Sequence, residues 1–126
     1  MMIKDCCPEE LDLTTRDLVT LDQAEQIGQL FKILANPTRL RIIHALVKAE
    51  SLSVTSLAEQ IEMKTQAVSN QLQKLMGENI VTTQRDGNFI YYQIKDNCTA
   101  LLLQRAWCLA EDTGLITKAN KIGALD

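Results

Sequence analysis

Between Ser53 and Ile94 the spacing of apolar positions is helical, then helical again after a short break, and finally extended. Val54, Leu57, Ala58 and Ile61 recur at i, i+3, i+4 and i+7, which is one apolar stripe of an amphipathic helix. A second helix begins near Thr65, a residue type that caps helix starts. It buries Ala67 or Val68, Leu72, Leu75 and Met76 and can end at Gly77. Ile80 to Arg85 and Phe89 to Ile94 read as strands, and Asp86-Gly87-Asn88 between them is a hairpin signal. Two helices across a tight turn, followed by a β-hairpin, predict a winged helix-turn-helix.

The flanking chain predicts further helices. Ala24, Ile27, Leu30, Phe31 and Leu34 form the stripe of a helix over Leu21 to Ala35, with Asp22 as a possible cap. Gly28 inside it costs about 1 kcal/mol relative to Ala, which suggests close approach of another helix. Asn36-Pro37 ends that helix and starts the next, as N-cap and first helical residue. Leu40, Ile43 and Ala45 to Val47 point inward there. Arg39 and Arg41, near its start, can reach a phosphate or pair with the acidic N-terminal segment. His44 reads as a packing or surface residue rather than a ligand, and Lys48 to Leu52 as a linker. Asp96 can cap a last helix running to about Asp112. Its Leu101, Leu102, Leu103, Ala106, Trp107, Leu109 and Ala110 make it apolar on more than one face. One core contact would not use so much apolar surface. The expected fold is therefore mainly α with a β-hairpin wing, dimerising through its N- and C-terminal helices. Residues 1–20 form an acidic extension carrying Cys6-Cys7, 21–112 the winged domain with its dimerisation helices, and 113–126 a tail.

At 126 residues and 46% hydrophobic content the chain suits one folded domain. No apolar run approaches the ~18 residues of a membrane-spanning helix. The start MMIKDCCPEELDL lacks the apolar core of a secretory signal, so a soluble, cytoplasmic protein is expected. Four cysteines there suggest free thiols, metal ligands or redox sensors before structural disulfides. The net charge of −3 argues against a nucleic-acid partner only until its distribution is read. Residues 1–29 hold two basic and seven acidic groups, whereas residues 64–95 hold four basic groups against two acidic. The field of a local patch, not the total, steers binding.

The second helix of the motif carries the candidate chemistry. Opposite its apolar stripe lie Gln66, Ser69, Asn70, Gln73 and Lys74. A solvated face would more usually mix Glu and Lys in i, i+4 pairs, whereas amides can bond adenine edges bidentately. Double-stranded operator DNA is the expected partner. Thr65, Gln66, Ser69 and Asn70 are expected at base edges, Lys64, Lys74 and Arg85 at phosphates, and Arg85 with Asn88 in a flanking groove. An enzyme is disfavoured: there is one His, no Gly-rich phosphate loop after a strand, and no nucleophile with a plausible base. A protein-interaction adaptor of the same fold fits less well with Lys74 and Arg85 on the polar face.

LANPTRLRII at 34–43, with SLAEQI, QAVSNQLQKL and NIVTTQRDGNFIYYQI, resembles the ArsR/SmtB family of bacterial metal-responsive repressors over roughly residues 25 to 112. Two departures stand out. Ser53-Val54-Thr55 replaces the Cys-Val-Cys of relatives with a thiolate site on the first motif helix, and Asn70 replaces a recognition-helix His. The resemblance implies a dimeric repressor released from DNA by an inducer. Cys6, Cys7, Cys98 and Cys108 are the candidate ligands, with Cys6 and Cys7 foremost. Soft thiolates favour cadmium, lead, mercury or arsenite over hard cations. Cys98 and Cys108 lie ~15 Å apart on one helix and cannot share an ion, but can meet across an antiparallel helix pair in a dimer. Some relatives hold zinc between their terminal helices. Asp96, Cys98 and Asp112 match positions of that site, Leu109 stands where a His would be, and Cys108 is one residue out of phase. Thiol oxidation, which needs two cysteines and no metal, is the further alternative.

Overall fold

Side-chain caps set the starts of four of the five helices found among the described residues, and the helices surround one hairpin. A computed structural model describes residues 12–117. The order is α1 (Leu21–Leu34), α2 (Pro37–Ala49), α3 (Val54–Ile61), α4 (Thr65–Gly77), β1 (Val81–Asp86), β2 (Phe89–Ile94) and α5 (Asn97–Asp112). Thr20, not Asp22, caps α1: its hydroxyl accepts from the Gln23 N–H while the Gln23 side chain accepts from the Thr20 N–H. That reciprocal pair satisfies two amides that the helix leaves open. Asp22 sits instead in the first turn, where a carboxylate meets the positive end of the helix dipole. Asn36 accepts from the Arg39 N–H at 3.0 Å with Pro37 behind it, and Ser53 and Asp96 cap α3 and α5 in the same way.

Three short helices and the base of the hairpin enclose the core. Ile42, Ile43 and Leu46 of α2 meet Leu57, Ala58 and Ile61 of α3, and Val68, Leu72 and Leu75 of α4. Ile80 and Val81 close it from below, while Ile33, Leu34, Tyr92, Ile94 and Leu103 pack on its edge. Ile42, absent from the inward set expected on α2, is fully buried. Each such aliphatic side chain contributes roughly 1.5–3 kcal/mol.

The strands pair antiparallel from Val81↔Ile94 to Asp86↔Phe89, so Ile80 lies just outside the strand expected to include it. The loop is Gly87-Asn88, with φ +65° at Gly87, a conformation that glycine adopts without steric cost. The segment expected to be a plain linker extends the sheet: Leu52 and Tyr92 exchange both backbone hydrogen bonds, at 3.0 and 2.8 Å. Among the described residues nothing comes within 4 Å of where a Cβ on Gly28 would stand, so no described helix makes the close approach expected there. Residues 1–11 and 118–126, including Cys6 and Cys7, lie outside the described residues.

Candidate nucleic-acid interface

Helix α4 is held by one side. Val68, Leu72 and Leu75 are all 0% exposed, so the opposite side must face out. There Thr65, Gln66, Asn70, Gln73 and Lys74 are exposed, and Ser69 is half-buried at the margin of the strip. Lys64, also exposed, is the N-cap, with no side-chain capping bond; Thr65, expected as the cap, is the first helical residue. The turn before it is tight because Glu62 adopts the left-handed conformation (φ 58°) and the Met63 N–H returns to the Ala58 carbonyl at 3.0 Å.

Two amides of the strip are already oriented. Gln66 Nε2 donates to Asn70 Oδ1 at 3.0 Å, one turn apart. This leaves Gln66 Oε1 as an acceptor and Asn70 Nδ2 as a donor facing outward. Adenine's major-groove edge offers the complementary donor and acceptor. At the wing, Arg85 and Asn88 are exposed. Phe89, which was not among the expected site residues, is 64% exposed beside them, with its ring 6.5 Å from that of Tyr91. Strand alternation placed an aromatic there but could not say that the tip outruns the core.

Arg39 and Arg41 are engaged within the domain, on neutral oxygens. Arg39 donates from Nε to Gln71 Oε1 at 2.8 Å and from Nη1 to the Ile33 carbonyl at 2.9 Å. Arg41 Nη1 donates to the carbonyl of Ile61, the last residue of α3, at 2.9 Å. Both cations thus sit at helix C-termini, where free carbonyls and the negative dipole end favour them.

Among the described residues the cysteines lie on α5. Cys98 is half-buried in the first turn of α5 and disulfide-bonded. Its N–H donates to Asp96 Oδ1 at 2.8 Å, which commits that carboxylate oxygen to capping. Cys108 is free and exposed. It lines a groove of about 770 Å³ between α2 and α5, together with Leu40, Arg41, His44, Leu103 and Trp107. His44, read as a packing or surface residue, is surface-exposed. Among the described residues no three His, Cys, Asp or Glu side chains converge to hold a metal. A soft-ion site therefore needs donors from a second subunit or from residues outside those described.

Comparison with known proteins accords with this geometry. Residues 36–83 match the family described as bacterial regulatory protein, arsR family. The chain is 37% identical over 89 residues to the transcriptional repressor SmtB homolog of Synechocystis sp., covering 71% of this chain and 67% of that protein. It belongs to the ArsR family. Among solved structures, the AntR antimony-specific transcriptional repressor is similar at a TM-score of 0.72 and 44% identity, over 87% of this chain and 99% of that one. The homodimeric winged helix-turn-helix domain of Mb0332 from Mycobacterium bovis is similar at a TM-score of 0.65 and 27% identity, over 75% and 87%. As an ArsR-family member the chain is a DNA-binding transcriptional repressor of the winged helix-turn-helix type, and not an enzyme. No helix among the described residues is long and apolar enough to cross a membrane.

Proposed function

We propose that this repressor binds a pseudo-palindromic operator as a homodimer and is released by a thiophilic metalloid or metal held by its cysteines. The observation that carries the DNA half is the strip on α4, polar along its outer side and anchored behind by three fully buried aliphatics. Gln66 and Asn70 read a base edge with Thr65 and Ser69 beside them, while Lys64, Lys74 and Arg85 take phosphates. Gln73 borders the strip, and Asn88 reaches the flanking groove. Two-fold symmetry puts the half-sites one helical turn, or a multiple, apart.

The inducer half rests on the donor chemistry. Thiolates are soft ligands and select soft ions. Similarity to an antimony-specific repressor adds trivalent antimony to arsenite, cadmium, lead and mercury as candidates. Cys6 and Cys7 of the 1–20 extension are the foremost ligands, with Cys108, or Cys98 in its reduced form, contributing from α5. An ion shared between subunits favours a dimer geometry in which the two α4 helices no longer match successive grooves, a coupling on the order of 1–3 kcal/mol. One observation favours a second reading. Cys98 is disulfide-bonded, and a sulfur pair close enough to bond can act as a thiol switch without metal.

The test is operator binding, using a duplex selected by the protein from a randomised pool. It is titrated with antimonite, arsenite, cadmium, lead, mercury, zinc and an oxidant, then repeated for each Cys→Ser variant. Release by a thiophilic ion, lost in Cys98→Ser or in the Cys6 and Cys7 variants, is the expected result. Release by oxidant alone selects the thiol switch. Release by zinc but not by the softer ions selects a site between the α5 helices. If nothing releases the duplex and all four substitutions are silent, the cysteine reading is wrong.

A further inference from the structure

We propose that Arg39 is a positioning residue that couples α1 to the recognition helix α4, so that the placement of the terminal helix is transmitted to the DNA-reading face. The coupling begins with a missing proton. In an α-helix the carbonyl of residue 33 would accept from the N–H of residue 37. Residue 37 is Pro, which has none. The Ile33 carbonyl is left open at the C-terminal turn of α1, and Arg39 Nη1 donates to it at 2.9 Å. The same guanidinium donates from Nε to Gln71 Oε1 at 2.8 Å. One planar group therefore holds two acceptors on different helices in a fixed relation.

The placement of Gln71 gives the bond its consequence. It lies one residue beyond Asn70 and one before Leu72, between the outward strip and the buried stripe of α4. Helix α1 has no buried residue of its own, and only Ile33 and Leu34 at its end pack on the core. Its grip on the domain is therefore concentrated in the turn that Arg39 holds. A shift of α1 changes where that carbonyl stands, and the rigid fork carries the shift to the middle of α4. A lysine, with one flexible ammonium, cannot reproduce this two-pronged geometry. The sequence suggested a phosphate contact or an acidic partner for Arg39; its guanidinium bonds two neutral oxygens, one on each helix.

This inference rests on α4 being the DNA-reading helix, and the experiment separates the two. Arg39→Lys, Gln71→Leu and the double variant are compared with the unmodified full chain by fluorescence anisotropy. Each is titrated against the selected operator and a random duplex across a salt series, with dimer mass and thermal stability measured alongside. Each single variant is expected to lose on the order of tenfold in operator affinity. Random-duplex affinity, salt slope and dimer mass should stay unchanged, and the double variant should be no weaker than the weaker single. Full operator affinity in both singles overturns the coupling, as do losses that multiply in the double or that fall equally on the random duplex. Should Arg39→Lys fail to fold, Gln71→Leu alone decides, because it leaves the Arg39–Ile33 bond in place. If the unmodified protein does not distinguish operator from random duplex, and Lys74→Ala changes neither, α4 does not read DNA and the coupling falls with that reading.

Discussion

Truncating Trp107 to Ala should separate the subunits without unfolding them. The indole is 47% exposed, and its Nε1 donates to Glu111 Oε2 at 3.1 Å, one turn away on the same helix. A tryptophan has roughly 200 Å² to bury, so about half, or ~100 Å², is left for a partner. At ~25 cal/mol per Å² that is about 2.5 kcal/mol per copy. A two-fold interface contains the residue twice, which gives about 5 kcal/mol, or three to four decades in dimer dissociation constant. The half already packed within the chain contributes a similar ~2.5 kcal/mol to the monomer, less than the 5–15 kcal/mol that holds a typical domain together. Sedimentation at micromolar concentration, with circular dichroism on the same samples, separates the outcomes. A folded Trp107→Ala monomer supports the reasoning. A variant as dimeric as the unmodified chain, or an unmodified chain that is already monomeric, refutes it.

Two substitutions on α4 should divide base reading from phosphate binding. Asn70→Ala removes only one exposed i, i+4 hydrogen bond from the fold, worth a few tenths of a kcal/mol, so melting should hardly move. Operator discrimination should fall by about 1–3 kcal/mol as measured against single-base variants of the site. Lys74→Ala should weaken operator and random duplex alike and flatten the salt slope by about one unit in a binding titration. In the core, Leu72→Ala empties a fully enclosed position and should cost about 2–5 kcal/mol in urea unfolding.

The helix-turn-helix could be read from the chain because its signals are local. The i, i+3, i+4, i+7 stripe of α3, Asn36-Pro37 at the start of α2 and the Gly87 hairpin each need only neighbouring residues, and α3, α2 and the hairpin are found where those signals lie. The outward strip of α4 followed from the same period, since burying Val68, Leu72 and Leu75 turns Gln66, Asn70 and Gln73 away. Features that depend on distant partners could not be read in this way. Arg39 and Arg41 look like surface cations in sequence, and only the approach of Gln71 and Ile61 shows which oxygens they serve. Leu52 looks like linker until β2 passes within hydrogen-bonding distance of it. The capping of α1 was misjudged for a simpler reason: Thr20 and Asp22 are both good cap residues, and the Gln three positions after Thr20 decides between them.

The distribution of apolar surface separates the two tasks of the molecule. Helices α3 and α4 direct their apolar stripes into their own domain and leave a polar exterior, as a DNA-facing element requires. The terminal helices do the reverse. Leu21 is 77%, Phe31 52% and Leu109 63% exposed, on helices that begin and end the described domain. Apolar surface left open on both, together with the groove that Trp107 and Cys108 line on α5, is what a subunit contact would cover. The cysteines on α5 belong to that side and not to the DNA side. On the proposed reading, an inducer held there would touch none of the residues on the α4 strip, and its effect would travel through the few connections between the two halves. Burial supplies several of these, but aliphatic contacts can slide, whereas a guanidinium bonded to two carbonyl oxygens fixes both distance and angle. On this argument, sensitivity of DNA affinity to the inducer should depend more on Arg39 than on any single core methyl group.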